Sequence, residues 1–305
     1  MLILPSRRQV LTGLGATAGI MGATGVYGFG VEPLHRLVVT RYAPNLPRWT
    51  DGPALRIAVL ADFHVCEPFM PFDRVAEIVD ATNALRPDLI LMLGDYPAGK
   101  VAWQTLPLSD FAKLVEGLRA PLGTYSILGN HDWWDDPATQ SALGGTPRIR
   151  KLLEARGIPV LENDVLRLTK DGKPFWLAGL GDQEPFEGHF HMTLADLPGT
   201  LAKVTDDAPV LLMAHEPNIF PRVPSRVALT LSGHTHGGQI RLFGRSPAIR
   251  RVNGHDLAYG HRIVDGRHII VSGGFGVSRI PVRIGVPPEI VLLELGQSAP
   301  EPGTA

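Results

Sequence analysis

The sequence predicts an α/β fold in which two packed, mixed β-sheets are flanked by helices. Three observations carry the prediction. Apolar strands alternate with amphipathic helices through the first half, the pattern of βαβ units with largely parallel pairing. The second half is richer in short strands and glycine turns. Five of the apolar strands end in Asp, Asn or His, and ligands of open α/β folds sit at the carboxyl ends of strands. One such ending is ordinary; five argue for one shared site.

The chain of 305 residues opens MLILPSRRQVLTGLGATAGIMGATGVYGFGVEP. Between Arg8 and Glu32 there is no charged residue, and the stretch is small, apolar and rich in glycine, as in a targeting segment behind a basic n-region. Arg7-Arg8, flanked by Ser6 and Gln9-Val10-Leu11, resembles the twin-arginine export signal of bacteria. Residues 1–32 are therefore expected to be a twin-arginine-type signal or a membrane anchor. Export through the cytoplasmic membrane by the twin-arginine machinery, to a periplasmic or extracytoplasmic location, follows from that expectation. The alternative is an ordinary signal anchor whose arginines obey the positive-inside bias. An A-x-A stretch at Ala16 to Ala18 is too early to leave a full h-region, and the uncharged segment of about 20 residues is near the length that a bilayer demands of an anchor left in place.

Residues 33–53, with Pro33, Pro44, Pro47 and Pro53, read as an irregular connector, and residues 54–295 as one domain. ALRIAVLAD is a strand ending at Asp62, and FDRVAEIVDATNALRPD a helix stopped by Pro87. LILMLGD is a buried strand ending at Asp95; an amphipathic stretch around Phe111 to Leu118 then leads to TYSILGNHD, a strand ending at Asn130 and His131. RIRKLLEAR is a helix, and strands follow near Val165 to Leu168 and Phe175 to Ala178. APVLLMAHE ends at His215 and VALTLSGHTH at His234 and His236. Residues 296–305, GQSAPEPGTA, have the composition of a disordered tail.

Composition narrows the function classes. A net charge of -1 supplies no basic field for nonspecific nucleic-acid binding, so no nucleic-acid partner is expected. Cys66 is the only cysteine, which excludes an intramolecular disulfide and a cysteine-built zinc site. What remains is a constellation of oxygen and imidazole donors: Asp62-x-His64, Gly94-Asp95, Gly129-Asn130-His131-Asp132, His215 and Gly233-His234-Thr235-His236. Imidazole suits zinc, iron and manganese, while carboxylate and amide oxygens suit harder cations such as Mn and Mg. Three oxygen donors with four histidines are too many for one tetrahedral ion and the right number for two ions sharing a bridging carboxylate. Glycines beside the ligands let the backbone turn sharply and let substrate approach.

The ordered set D-x-H, G-D, G-N-H-D, H and G-H-x-H, spanning Asp62 to His236, resembles the calcineurin-like metallophosphoesterase superfamily. The trailing GGQIRLFG and SRIPVRIGVPPEIVLLEL look like a bacterial subgroup of exported or membrane-anchored phosphodiesterases similar to UDP-2,3-diacylglucosamine hydrolases. The resemblance implies two divalent ions (Mn, Fe, Zn or Mg). Asp62, His64 and His236 would bind the first, Asn130, His215 and His234 the second, and Asp95 both. It implies hydrolysis of a phosphoester, as a phosphodiester or pyrophosphate of a small molecule or lipid, by a hydroxide held between the ions. His131 is then no ligand but a catalytic group that donates to the phosphoryl oxygen or protonates the leaving group. Asp132 is expected to orient a neighbouring imidazole, Gly237, Gly238 and Gln239 to offer backbone donors to phosphate, and Arg279 and Arg283 to pair with it.

Each of these readings has a plainer counterpart. The glycines after a ligand can serve the turn alone, and both arginines can be solvated surface charges. His189-x-His191 and the other unmotivated histidines default to surface or core roles. Cys66 to Asp73 and Trp133-Trp134 follow ligand-bearing loops, and either wall the cleft for acyl chains or a membrane surface or simply pack beneath those loops. Two rivals stand beside the hydrolase: a nuclease, which needs a basic groove, and a metal-binding envelope protein without turnover, against which the intact His131 speaks.

Overall fold

The computed structural model describes residues 6–99, 104–247, 252 and 254–296. Two sheets face each other. The first has the lateral order Val38–Tyr42, Glu289–Leu295, Leu55–Leu60, Leu89–Met92, Thr124–Ser126. Its last three strands pair in parallel, as the alternation of strand and helix requires, and Glu289–Leu295 runs antiparallel to Leu55–Leu60. The second has the order Gly260–Val264, Arg267–Val271, Val227–Ser232, Val210–Met213, Lys173–Gly179, Asp164–Lys170, parallel in its centre and antiparallel at both edges.

Strand alternation decides what lies between the layers. Ile57 and Val59 face the second sheet and join Leu89, Leu91, Phe175, Leu177, Leu211, Leu229 and Leu231 in the inter-sheet core. Ala58 and Leu60 point the other way, with Ile90 and Met92, onto the helices Phe72–Ala84, Leu108–Val115 and Arg148–Glu154. A third cluster packs the outer face of the second sheet against the helix Leu197–Ala202 and the turn Pro217–Arg222. Central strands buried on both sides explain why they read as continuous apolar runs.

Two expectations are corrected and one open alternative is settled. The segment 33–53 is not irregular throughout, because Val38–Tyr42 forms the edge strand of the first sheet, in parallel register with Glu289–Leu293. Its prolines fall outside those five residues, where no ladder hydrogen bond is lost. The strand expected to run to Asn130 and His131 stops at Ser126, and Asn130–Trp134 is a short helix. Cys66, Phe69 and Met70 do not line the cleft; they are buried, Cys66 and Phe69 in a small cluster with Leu34, Ala98 and Val277. At the front of the chain Arg7–Val26 is a helix, and among the described residues no helix is long and apolar enough to cross a membrane. Beyond Gly296 the expected tail lies outside the described residues.

Candidate metal centre

The strands Leu55–Leu60, Leu89–Met92, Val210–Met213 and Val227–Ser232 carry their following loops to one edge of the sandwich, which brings together donors from distant parts of the sequence. Asp62, His64 and His236 form one group whose donor atoms lie within 4.8 Å of one another, and Asp95, His215 and His234 form another. A single atom links the groups: Asp95 Oδ2 is 3.6 Å from His64 Nε2 and 3.2 Å from His215 Nε2. Asn130 Oδ1 lies 2.9 Å from His234 Nδ1, on the second group. The structure thus collects all seven residues expected to be ligands.

Local backbone makes this convergence possible and strains to do so. Asp62, His64, Asp95, His234 and His236 all adopt left-handed φ, between 48° and 67°. Non-glycine residues rarely take that conformation, at a cost of order 1 kcal/mol or more each, and such outliers gather at functional sites. Gly129 is required for a different reason: a Cβ there would sit 2.4 Å from Asp95 Oδ1 and 2.6 Å from His215 Nε2. The strand expected to end at His234 and His236 stops short of both. His234 and His236 are not alternate residues of an extended strand, which ends at Ser232; their left-handed conformations send the two rings to different groups.

The donors are arranged for a cation. His64 Nδ1 donates to Pro97 O at 2.8 Å and His215 Nδ1 to Leu93 O at 2.7 Å, and this fixes the tautomer that leaves Nε2 as the donor atom. His64 Nε2 and His236 Nε2 face each other at 3.0 Å. His215 Nε2 faces a carboxylate oxygen, where only a proton or a metal ion fits. Burial pushes His64 down to about 4, so its ring is neutral near neutral pH. Burial, together with the Asp95 charge, pushes the Asp62 carboxyl up to about 7, and Asp62 Oδ2 is buried with no hydrogen bond among the described residues. Imidazoles and carboxylates this crowded and this poorly paired fit a divalent cation, which satisfies both kinds of donor.

His131 stands beside the groups. Its backbone N–H donates to Asp95 Oδ1 at 2.8 Å, and its Nδ1 lies 3.2 Å from Asp135 Oδ2. Burial works against the imidazolium, but Asp95, Asp135 and Asp132 outweigh it and raise the pKa of His131. Asp135 was not anticipated from the sequence; its spacing of four residues from His131 on a helix was the available signal.

The expected supporting residues fall elsewhere. Asp132 orients no imidazole: its carboxylate accepts the backbone N–H groups of Asp95, Tyr96 and Gly129, at 2.9, 3.0 and 2.8 Å. Gly238 and Gln239 donate their N–H groups to Thr235 O and His236 O, and Gly237 N–H points to Thr235 Oγ1, so these donors serve the turn and not phosphate. The Gln239 side chain donates to Ile280 O and accepts from Ser278 N–H. Arg283 is fully buried and donates to the carbonyls of Gly273, Gly276 and Val286, with Nη2 3.3 Å from His236 Nδ1, so it cannot reach substrate. Arg279, by contrast, lines the cleft.

That cleft, about 1000 Å³, opens over the two groups. Trp134 and Phe190 stand edge to face at 6.2 Å on one side, and Ile240, Val252, Ile280 and Val282 add apolar lining. His189 and His191 are exposed and outside the lining.

Residues 55–238 match the calcineurin-like phosphoesterase family. The chain is 32% identical over 299 residues to the metallophosphoesterase YkuE of Bacillus subtilis, covering 95% of this chain and 97% of that protein. It is 28% identical over 292 residues to the phosphodiesterase YaeI of Escherichia coli K12, covering 95% and 99%. A transmembrane protein with a metallophosphoesterase domain from Danio rerio is 29% identical over 313 residues, which cover 96% of this chain and 64% of that longer protein.

Proposed function

The chain belongs to the calcineurin-like phosphoesterase family and is a metal-dependent phosphoester hydrolase, and from that premise we propose that it cleaves a phosphodiester or pyrophosphate with two divalent ions. One observation carries the reading: Asp95 Oδ2 lies between His64 of one donor group and His215 of the other, as a shared carboxylate must. Asp62, His64 and His236 would hold one ion, Asn130, His215 and His234 the second, and Asp95 both. When bound, such a pair supplies Lewis acidity to phosphoryl oxygens and a water acidified toward neutrality.

The remaining chemistry belongs to side chains. His131 holds a proton through Asp95 and Asp135, and its Nδ1–H···Oδ2 contact with Asp135 leaves Nε2 as the second proton site. From the cleft lining it can donate to a phosphoryl oxygen or to the departing alkoxide, a role worth about 10²–10⁴-fold in rate. Trp134, with its ring 5.2 Å from that of His131, walls the place where the leaving group must stand. An apolar lining of this extent suits a substrate with a lipid or other apolar portion, and Arg279 at the lip suits an anionic one. The uncharged stretch behind Arg7-Arg8 supports export by the twin-arginine route, with the active site outside the cytoplasmic membrane and associated with it.

The test is hydrolysis of bis-p-nitrophenyl phosphate by the purified chain with added Mn²⁺. The expected result is turnover that EDTA abolishes and Mn²⁺ restores, with two ions bound per chain. Metal-free protein with chelator-indifferent turnover, or a single bound ion at saturation, refutes the two-ion reading.

A further inference from the structure

We infer that residues 27–36 are a working part of the metal centre, and that Glu32 is a positioning residue for His236. This rests on the two-ion reading above and goes beyond it, because by sequence the segment straddles the targeting region 1–32 and the connector 33–53.

The connection is a short chain of buried contacts. Glu32 is 1% exposed, and its Oε1 accepts the Val286 N–H at 2.8 Å. Four residues earlier, Gly28 O accepts the Arg283 N–H at 2.9 Å. Gly28 sits so close to the same loop that a Cβ would lie 2.7 Å from Ile284 Cγ1. Leu34 packs against the cluster of Cys66, Phe69, Ala98 and Val277, and Leu37 against the helical core. The loop gripped in this way, 282–286, carries Arg283, whose Nη1 returns to Val286 O at 3.0 Å and whose Nη2 reaches His236 Nδ1 at 3.3 Å. Glu32 and Gly28 fasten the loop by buried hydrogen bonds, and the loop sets the Arg283 guanidinium against the His236 ring, so displacement at Glu32 shifts the group on which the imidazole packs.

Charge adds to the connection. Arg283 is wholly buried, and its guanidinium meets the carbonyls of Gly273, Gly276 and Val286 and the His236 ring. Its charge is held in place by the loop carbonyls and by the more distant carboxylates of Asp62, Glu289 and Glu32. Removing the Glu32 carboxylate therefore loosens the loop and weakens the support of Arg283 together. A second consequence concerns processing: any cleavage of the export segment must leave residues 27–36 on the chain.

The experiment measures Mn²⁺ binding by calorimetry in full-length Glu32→Ala, Glu32→Gln, Gly28→Val and, as a control in the inter-sheet core outside the clamp, Leu229→Ala. Glu32→Ala and Gly28→Val are expected to weaken one of the two binding events about tenfold, the low end of the effect of groups that orient metal-binding imidazoles. Glu32→Gln, which keeps an acceptor for Val286 N–H, should fall between it and wild type. Leu229→Ala should lower the unfolding midpoint and leave both binding events intact. Wild-type binding by Glu32→Ala overturns the inference, and so does equal weakening of both events in the Glu32 and Leu229 variants, which would mark a purely structural role. A wild-type chain that binds no Mn²⁺ overturns the metal reading itself, and this inference with it. Intact mass of the exported protein gives an independent check: a fully metal-loaded chain beginning beyond Glu32 also overturns it.

Discussion

At the scale of single residues, the division of labour between Asp95 and His131 is sharp enough to measure. Asp95 touches both donor groups, so Asp95→Ala should lose bound metal and turnover together. His131 touches neither through its ring nitrogens, so His131→Ala should keep its metal and lose about 10²–10⁴-fold in kcat; equal metal loss in the two variants would remove the separate role of His131. The pH dependence has a definite sign. The pKa of His131 is raised because Asp95, Asp135 and Asp132 outweigh the opposing effect of burial, so the ring stays protonated above the ordinary histidine range. If the protonated ring is the working acid, kcat falls as pH rises through that raised value. Asp135→Asn removes one of the stabilising charges and should move this alkaline limb to lower pH at constant metal content; an unmoved limb refutes the pairing. The same shift contributes stability that is complete below the unfolded histidine value and is lost as pH rises through the folded one.

At the scale of elements, Asp132 shows why a motif residue need not be a chemical one. Its carboxylate gathers three N–H groups from the loop after Leu89–Met92 and the start of the helix Asn130–Trp134, and so sets the distance between Asp95 and Asn130. Asp132→Ala leaves those buried donors unpaired and should cost on the order of 3 kcal/mol in urea unfolding, with weaker metal binding as a consequence. A stable variant with unchanged metal affinity would show that the helix holds the loop without it. The element boundaries around the site were the least legible part of the sequence. Apolar periodicity marks the strands Leu55–Leu60 and Val227–Ser232 and the helix Phe72–Ala84 clearly, since burial on defined faces dictates it. It carries no information about Asp62, His64, His234 or His236, whose left-handed backbone is imposed by contacts across the molecule. The same holds for Arg283, which reads in sequence as a phosphate partner or a solvated surface charge and lies at the centre of a loop it holds together.

At the scale of the whole molecule, the metal centre lies on one edge of a sandwich whose two sheets both contribute to it, so cation binding and global stability are linked. A cation present at about 100 times its dissociation constant adds about 2.7 kcal/mol, and EDTA should lower the thermal midpoint of the wild type while leaving a metal-free Asp95→Ala variant where it was. Replacing Arg7 and Arg8 together by Lys should hold the folded chain in the cytoplasm of a host with twin-arginine export; undiminished export would exclude that route. By itself the sequence determined the α/β class, most of the central strands and helices, and the seven candidate donor residues, because periodicity and donor chemistry are local properties written in residue type. Only the tertiary structure decided that one oxygen of Asp95 lies between the two donor groups, that Asp132 gathers backbone N–H groups from the loop of Asp95 rather than orienting an imidazole, and that Val38–Tyr42 and Glu32 belong to the folded domain. Those depend on contacts between residues up to 254 positions apart, which no local pattern encodes.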